Sequence, residues 1–235
     1  MHSPGALKFR ALLETANILY CLEIWGKEEP AEKERSPEQE YAMLKKEHPR
    51  LKLGFLQQEH GDELFYFQSA PKSMYLAKAD AIYTDKENFA CTVRSADCVP
   101  ILGYSSQEAL CFAIHAGWRG LYLHIIEKTL TYLREYGGVK INNLRFFIGP
   151  HIQKIHYEVG EDVYSLFRKG FYEKRGDKAY LDLGLLAKKA LTKEGVKPSQ
   201  ISYLNLNTYR SDFFFSHRAH ERGRNLSLIY FILKS

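Results

Sequence analysis

Residues Ala109-Leu110-Cys111-Phe112-Ala113-Ile114-His115-Ala116-Gly117-Trp118-Arg119-Gly120 pass from an unbroken apolar run into a glycine turn and then a helical pattern. The run 109–115 has the length and composition of a buried strand. A helix follows over about 119–135, where Leu121, Ile125, Ile126, Leu130 and Leu133 fall on one face and Gly137-Gly138 closes it. A buried strand handing directly to an amphipathic helix is the unit of a mixed α/β fold.

The same alternation continues outward. Strand-like runs lie at 15–25, 51–58, 63–68, 89–94, 98–104, 144–148, 201–206, 212–216 and 226–233. Ser36-Pro37-Glu38-Gln39 places a capping serine, a proline at the first helical position and glutamine at the third, so a helix starts there, inside the charged stretch 27–50. Further helices are expected near 161–168, behind Gly160, and over 183–193, between Asp182 as N-cap and Gly195. No repeat or low-complexity linker interrupts the chain, so 1–235 reads as one mixed α/β domain with sizeable sheets.

The chain has 235 residues, with 33 Lys+Arg against 28 Asp+Glu, a formal charge of +5. A chain this long buries a core without disulfides. The mild basicity suits a small anionic substrate. The basic residues are dispersed and match no nucleic-acid motif, which argues against nucleic acid as a partner. Four cysteines, Cys21, Cys91, Cys98 and Cys111, form no CxxC pair. With no leader-like segment and no apolar run long enough to span a bilayer, the expectation is a cytoplasmic protein with free thiols and no membrane partner.

Reactive residues sit where strands end. Gln57-Gln58-Glu59-His60-Gly61, Arg94-Ser95-Ala96-Asp97-Cys98-Val99-Pro100 and Ile114–Gly120 each join an apolar run to a polar turn. His60, Cys98 and His115 would supply two imidazoles and a thiolate, a donor set that suits zinc with one position left open. Spacing alone favours core histidines and a buried structural thiol, because the intervals fit no finger or ribbon.

Asp97-Cys98-Val99-Pro100 followed by Ala113-Ile114-His115-Ala116-Gly117-Trp118-Arg119-Gly120 resembles the TADCxP…HAGWRG signature of the laccase-domain family, now regarded as purine nucleoside phosphorylases. Gln58-Glu59-His60-Gly61 is similar to that family's QVHG. Ile148–Ile152, Tyr157–Gly160, Tyr180–Leu183, Phe214–Arg218 and Gly223-Arg224 continue the likeness in order over about 50–230. The resemblance implies a layered α/β sandwich with mixed sheets, similar to the catalytic domain of cytotoxic necrotising toxins. It implies a catalytic zinc, rather than copper, on His60, Cys98 and His115. It also implies a purine nucleoside and phosphate as substrates (adenosine, inosine, methylthioadenosine), with adenosine deamination as a second activity.

Four other residues are candidates beside these. Arg119, at a helix start, and Arg218 could hold phosphate. Asp97 and Glu158 could orient the ligands from behind. Turn capping and a surface carboxylate are the plainer readings of that pair. Residues 1–50 lack the family's SLNLG segment, and His217 replaces its usual tyrosine, so the pocket departs from the family where the metal motifs do not.

Three other functions compete. Cys98 with His115 as base would make an amide hydrolase. A copper polyphenol oxidase would use the same two imidazoles and thiolate, but multicopper enzymes carry many His-x-His pairs, and none occurs among these nine histidines. A binding module that kept the fold without turnover is the last.

Overall fold

The computed structural model describes residues 6–27, 35–69 and 74–234. In chain order the elements are β1 (Ala6–Glu14), β2 (Ile18–Gly26), α1 (Pro37–Glu47), β3 (Lys52–Gln57), β4 (Leu64–Tyr66), β5 (Tyr75–Lys78), β6 (Ala81–Thr84), β7 (Phe89–Ser95), β8 (Val99–Ser105) and β9 (Cys111–Ala116). Then come α2 (Trp118–Tyr122), α3 (Ile125–Glu135), β10 (Leu144–Ile148), β11 (Glu158–Val159), α4 (Glu161–Tyr164), β12 (Tyr172–Arg175), β13 (Lys178–Leu181), α5 (Leu183–Lys193), β14 (Ile201–Tyr203) and β15 (Asn225–Leu233).

Two six-stranded sheets, in the orders β1-β2-β15-β7-β3-β5 and β14-β10-β8-β9-β6-β4, carry the molecule, and β11-β13-β12 forms a small third one. Both large sheets are mixed. In the first, β3 runs parallel to β7 and β5 while β15 runs antiparallel to β7. In the second, β8–β9 is antiparallel and β10–β14 parallel. The mixed α/β architecture expected from the sequence is present.

Burial shows the layers. Tyr20, Leu22, Cys91 and Val93 of the first sheet share one core with Leu102, Cys111 and Ala113 of the second. The opposite face of the second sheet, with Phe112 and Ile114, packs on Ile125, Ile126, Leu130 and Leu133 of α3 and on Leu183, Leu186 and Leu191 of α5. The outer face of the first sheet, with Trp25, Leu53 and Leu228, is covered by Leu44 of α1. Strands between two layers are wetted on neither face, so β7 and β9 read as continuous apolar runs rather than alternating ones. Cys91 and Cys111 are core thiols, and all four cysteines are free.

The local signals mostly hold. Ser36 and Gln39 form the reciprocal capping box at α1, and Asp182 accepts from the Leu185 N–H at the start of α5. Residues 28–34 of the charged stretch lie outside the described residues.

The structure differs in four places. The helix expected over 119–135 is broken, because His124 takes a left-handed conformation (φ 66°) between α2 and α3. That one residue lets α2 sit against the 59–61 loop while α3 lies along the second sheet. The helix near 161–168 shortens to Glu161–Tyr164, and the strand at 201–206 to Ile201–Tyr203. Residues 212–216 form no strand. Ser211 Oγ accepts the N–H groups of Phe213 and Phe214, and the Asn225 amide bonds both backbone groups of Phe215. Side chains thus take the place of a ladder. Among the described residues, no helix is long and apolar enough to cross a membrane.

Candidate metal centre

Three chain segments meet at one end of the sandwich. β3 of the first sheet ends at Gln57, three residues before His60. Cys98 lies in the turn that carries the chain from β7 of the first sheet to β8 of the second. His115 sits in β9, opposite Pro100 of β8. Its neighbours Ile114 and Ala116 face the helices, so strand alternation turns His115 toward the space between the sheets. The donor atoms of His60, Cys98 and His115 all lie within 4.8 Å of one another. Among the described residues this is the one His/Cys/Asp/Glu group of three or more so placed.

His60 (φ 59°) and Asp97 (φ 90°) both take the left-handed region, which persists only where neighbours hold it. At His60 the holder is Asp80, whose carboxylate accepts the N–H groups of Glu59, His60 and Gly61 at 3.1, 3.1 and 2.7 Å. At Asp97 the holders are Thr208 Oγ1, donating to Oδ1, and the Arg218 N–H, donating to Oδ2, each at 2.7 Å. Gln58 ties the end of β3 to β7 by bonding both the N–H and the C=O of Arg94 at 2.8 Å.

The glycines after His115 have steric reasons. A Cβ on Gly117 would lie 2.9 Å from Cys98 Sγ and 3.4 Å from His60 Cδ2. One on Gly120 would lie 2.9 Å from the Gly61 carbonyl. The backbone therefore passes closer to the donors than any side chain permits.

Asp80 also fixes the imidazole. Its Oδ1 lies 2.8 Å from His115 Nδ1, with both side chains buried. Burial pushes the Asp80 carboxyl up, but His115 and the backbone donors outweigh it and hold it below its ordinary value. An ionised carboxylate only accepts, so Nδ1 carries the proton and Nε2 is left for the site. Burial likewise opposes charge on Cys98 and His115, yet their mutual attraction wins. The thiol is brought down to about 6, with His60 contributing, and the imidazole is brought up to about 9, with Asp80 contributing. The pair favours a thiolate. Thiolate, two imidazoles and a carboxylate behind one of them are a donor set that fits a tetrahedral zinc, whose donors lie roughly 3.5 Å apart.

The donors open onto a cleft of about 580 Å³, which Arg94, Trp118, Tyr157, His217, Arg218 and Arg224 help to wall. Asp97 and Arg218, expected from the sequence, both line it. Arg119 and Glu158 do not. Arg119 is exposed, with its guanidinium 5.1 Å from the Trp118 ring, and the Glu158 carboxylate pairs with Lys178 at 2.9 Å. Asp97 is engaged by the 208 and 218 loops rather than by either histidine; Asp80 stands behind His115 instead. The sequence signal for Asp80 was a lone carboxylate in the run Leu76–Ile82, where burial of an acid needs a partner. His151 is buried between the Gly149 carbonyl and the Tyr203 hydroxyl, outside the site.

A two-sheet α/β sandwich with a His-Cys-His cluster at its open end defines the class. The family model described as multi-copper polyphenol oxidoreductase laccase matches residues 31–232, and the chain belongs to that family. The chain is 30% identical over 167 residues to a purine nucleoside phosphorylase of Bacteroides thetaiotaomicron, covering 67% of this chain and 62% of that protein's length. It is 32% identical over 184 residues to a purine nucleoside phosphorylase of Clostridium acetobutylicum, covering 75% and 76%. The crystal structure of the Bacillus licheniformis hypothetical protein YfiH has the same fold, with a TM-score of 0.79 at 21% identity over 93% of this chain and 97% of that one.

Proposed function

We propose that the chain is a zinc-dependent purine nucleoside phosphorylase acting on adenosine, inosine and methylthioadenosine, with adenosine deamination as a second reaction of the same cleft. The observation that carries this reading is the convergence of His60, Cys98 and His115 at a cleft bordered by cationic side chains. The activity in the names of the Bacteroides and Clostridium relatives supports it.

His60, Cys98 Sγ and His115 Nε2 would hold the zinc, which supplies Lewis-acid polarisation of a substrate oxygen. The chain's own residues do the rest. Asp80 keeps the His115 proton on Nδ1 and so keeps Nε2 aimed at the site. In phosphorolysis a phosphate oxygen bonds to ribose C1′ while the C1′–N9 bond breaks. The bond's electron pair leaves with the purine, which takes a proton. Arg218 favours an anion in the cleft and is set in advance, its guanidinium 5.0 Å from the Tyr157 ring and bonded to the Glu158 carbonyl. Zinc is preferred to copper because multicopper chemistry needs several sites, and the described residues hold one three-donor cluster.

One observation favours a second reading. Cys98, His115 and Asp80 stand in the order nucleophile, base and orienting acid, the arrangement of a thiol amide hydrolase. Metal content separates the two, since a thiolate bound to zinc is not free to attack.

The test is elemental analysis of the purified chain, paired with product chromatography after incubation with adenosine and phosphate. One zinc per chain, with adenine and ribose 1-phosphate formed only when phosphate is present, is the expected result. Metal-free protein that cleaves an amide and leaves nucleosides intact would move the function to the hydrolase.

A further inference from the structure

Helix α1 lies outside the two sheets, yet one of its side chains reaches an arginine of the cleft wall. Its Glu40 side chain is 1% exposed, and Oε2 accepts from Arg94 Nε at 2.5 Å. Burial pushes the Glu40 carboxyl up, against the pull of Arg94, Arg35 and Arg224. A carboxylate this deeply buried needs a fixed cation beside it, and Arg94 is that cation.

Arg94 is held at both ends. Gln58 bonds its backbone N–H and C=O, and Glu40 holds Nε. Its Nη groups make no hydrogen bond among the described residues, while the side chain lines the cleft and stays 19% exposed. Arg224 lines the same wall, with Nη1 tied to the carbonyls of Arg222 and Gly223. Among the described residues that line the cleft, the one carboxylate is Asp97, and both its oxygens are taken. Guanidinium groups braced from behind, facing a cleft with no free carboxylate, form a site for a tetrahedral oxyanion.

We infer that Arg94, braced by Glu40 and flanked by Arg224, binds a phosphate dianion through its Nη edge, in the place expected of Arg119. The inference rests on the phosphorylase reading for its purpose but not for its test. The dianion has two sources with the same chemistry, inorganic phosphate or the monoester of a nucleotide. In either case the buried Glu40–Arg94 pair gives helix α1 a part in substrate choice.

The experiment is calorimetric titration of the full chain with inorganic phosphate, and separately with adenosine 5′-monophosphate. Wild type is compared with Arg94→Gln and Arg119→Gln, and metal content is measured alongside. Removing Arg94 leaves Glu40 unpaired and can unfold the protein. The double variant Glu40→Gln/Arg94→Gln removes both charges and carries the test in that case.

The expected result is that phosphate binds about tenfold or more weakly without Arg94 and is little changed without Arg119, at unchanged metal content. If the monophosphate binds about tenfold tighter than phosphate and loses that advantage without Arg94, the source is a nucleotide. If the two bind alike, the source is free phosphate. Undiminished phosphate affinity in the folded Arg94 variants, or a loss confined to Arg119→Gln, overturns the assignment. A wild type that binds phosphate through Arg94 yet performs no phosphorolysis removes the phosphorylase reading and leaves this one. Phosphorolysis with an unchanged phosphate KM in the double variant does the reverse.

Discussion

Asp80 Oδ1 lies 2.8 Å from His115 Nδ1, and the same carboxylate gathers the N–H groups of Glu59, His60 and Gly61. One buried acid therefore sets two of the three donors. It orients the His115 ring directly, and it holds the left-handed turn from which His60 projects. His115 belongs to β9 of the second sheet and His60 follows β3 of the first, so Asp80 also joins the sheets where the site opens.

Asp80→Asn tests that joint. An amide keeps one acceptor oxygen but turns an NH2 toward groups that are themselves donors. Metal affinity is expected to fall about 10–100-fold, and unfolding free energy by about 1–3 kcal/mol. Chelator competition and urea unfolding read the two effects. Wild-type values for both would remove Asp80 from its orienting role.

Cys98→Ala removes the thiolate from a half-buried turn outside the main cores. The protein is expected to fold and to bind no stoichiometric metal, as read by circular dichroism and elemental analysis. A folded variant that binds a full complement of metal contradicts the ligand assignment.

Gly117→Ala is a steric test. Gly117 has φ −80°, so alanine meets no backbone penalty there. Its Cβ would instead press on Cys98 Sγ. Metal affinity is expected to drop about tenfold or more, with metal-free stability changed by less than about 1 kcal/mol. A larger loss of metal-free stability than of metal affinity would mean that Gly117 serves the fold rather than the donors.

Acid stability has a separate source in Glu23, fully buried beneath Arg10 (2.8 Å), His48 (2.9 Å) and Trp25 Nε1 (2.9 Å). Burial raises its pKa, but His48, Arg10 and Trp25 outweigh burial and hold the carboxyl below its ordinary 4.5. The folded state thus binds fewer protons than the unfolded chain in the range just below that value. Stability from Glu23 is present above 4.5 and is lost as pH falls through the lower folded value. Glu23→Gln is expected to cost about 1–3 kcal/mol near neutrality and to flatten the fall of the urea midpoint below about pH 5. A variant whose midpoint falls as steeply as wild type places the acid sensitivity elsewhere.

Some strands were harder to read than others. β1 alternates Phe9, Ala11 and Leu13 inward with Lys8 and Arg10 outward, but a register shift between Leu7 and Phe9 breaks the pattern at its start. β11, β12 and β13 are two to four residues long, too short for any periodicity to register. The aromatic run Phe213–Phe215 has strand composition, yet Ser211 and Asn225 satisfy its backbone instead.

The sequence by itself determined what is local. Apolar runs, the Ser36 and Asp182 caps and the strand-to-helix passage at 109–120 follow from periodicity and from hydrogen bonds spanning three or four residues. The strand ends offered two imidazoles and a thiolate as candidates, and the likeness to the family's signature, rather than their spacing, singled them out as donors. Only the tertiary structure decided how those donors meet, that Asp80 rather than Asp97 stands behind His115, that Arg119 and Glu158 lie outside the cleft, and that Glu40 reaches Arg94 from 54 residues away. Such pairs form because desolvation in the packed interior makes an unpartnered charge costly, and the partner is whichever group the packing of the sheets brings within reach.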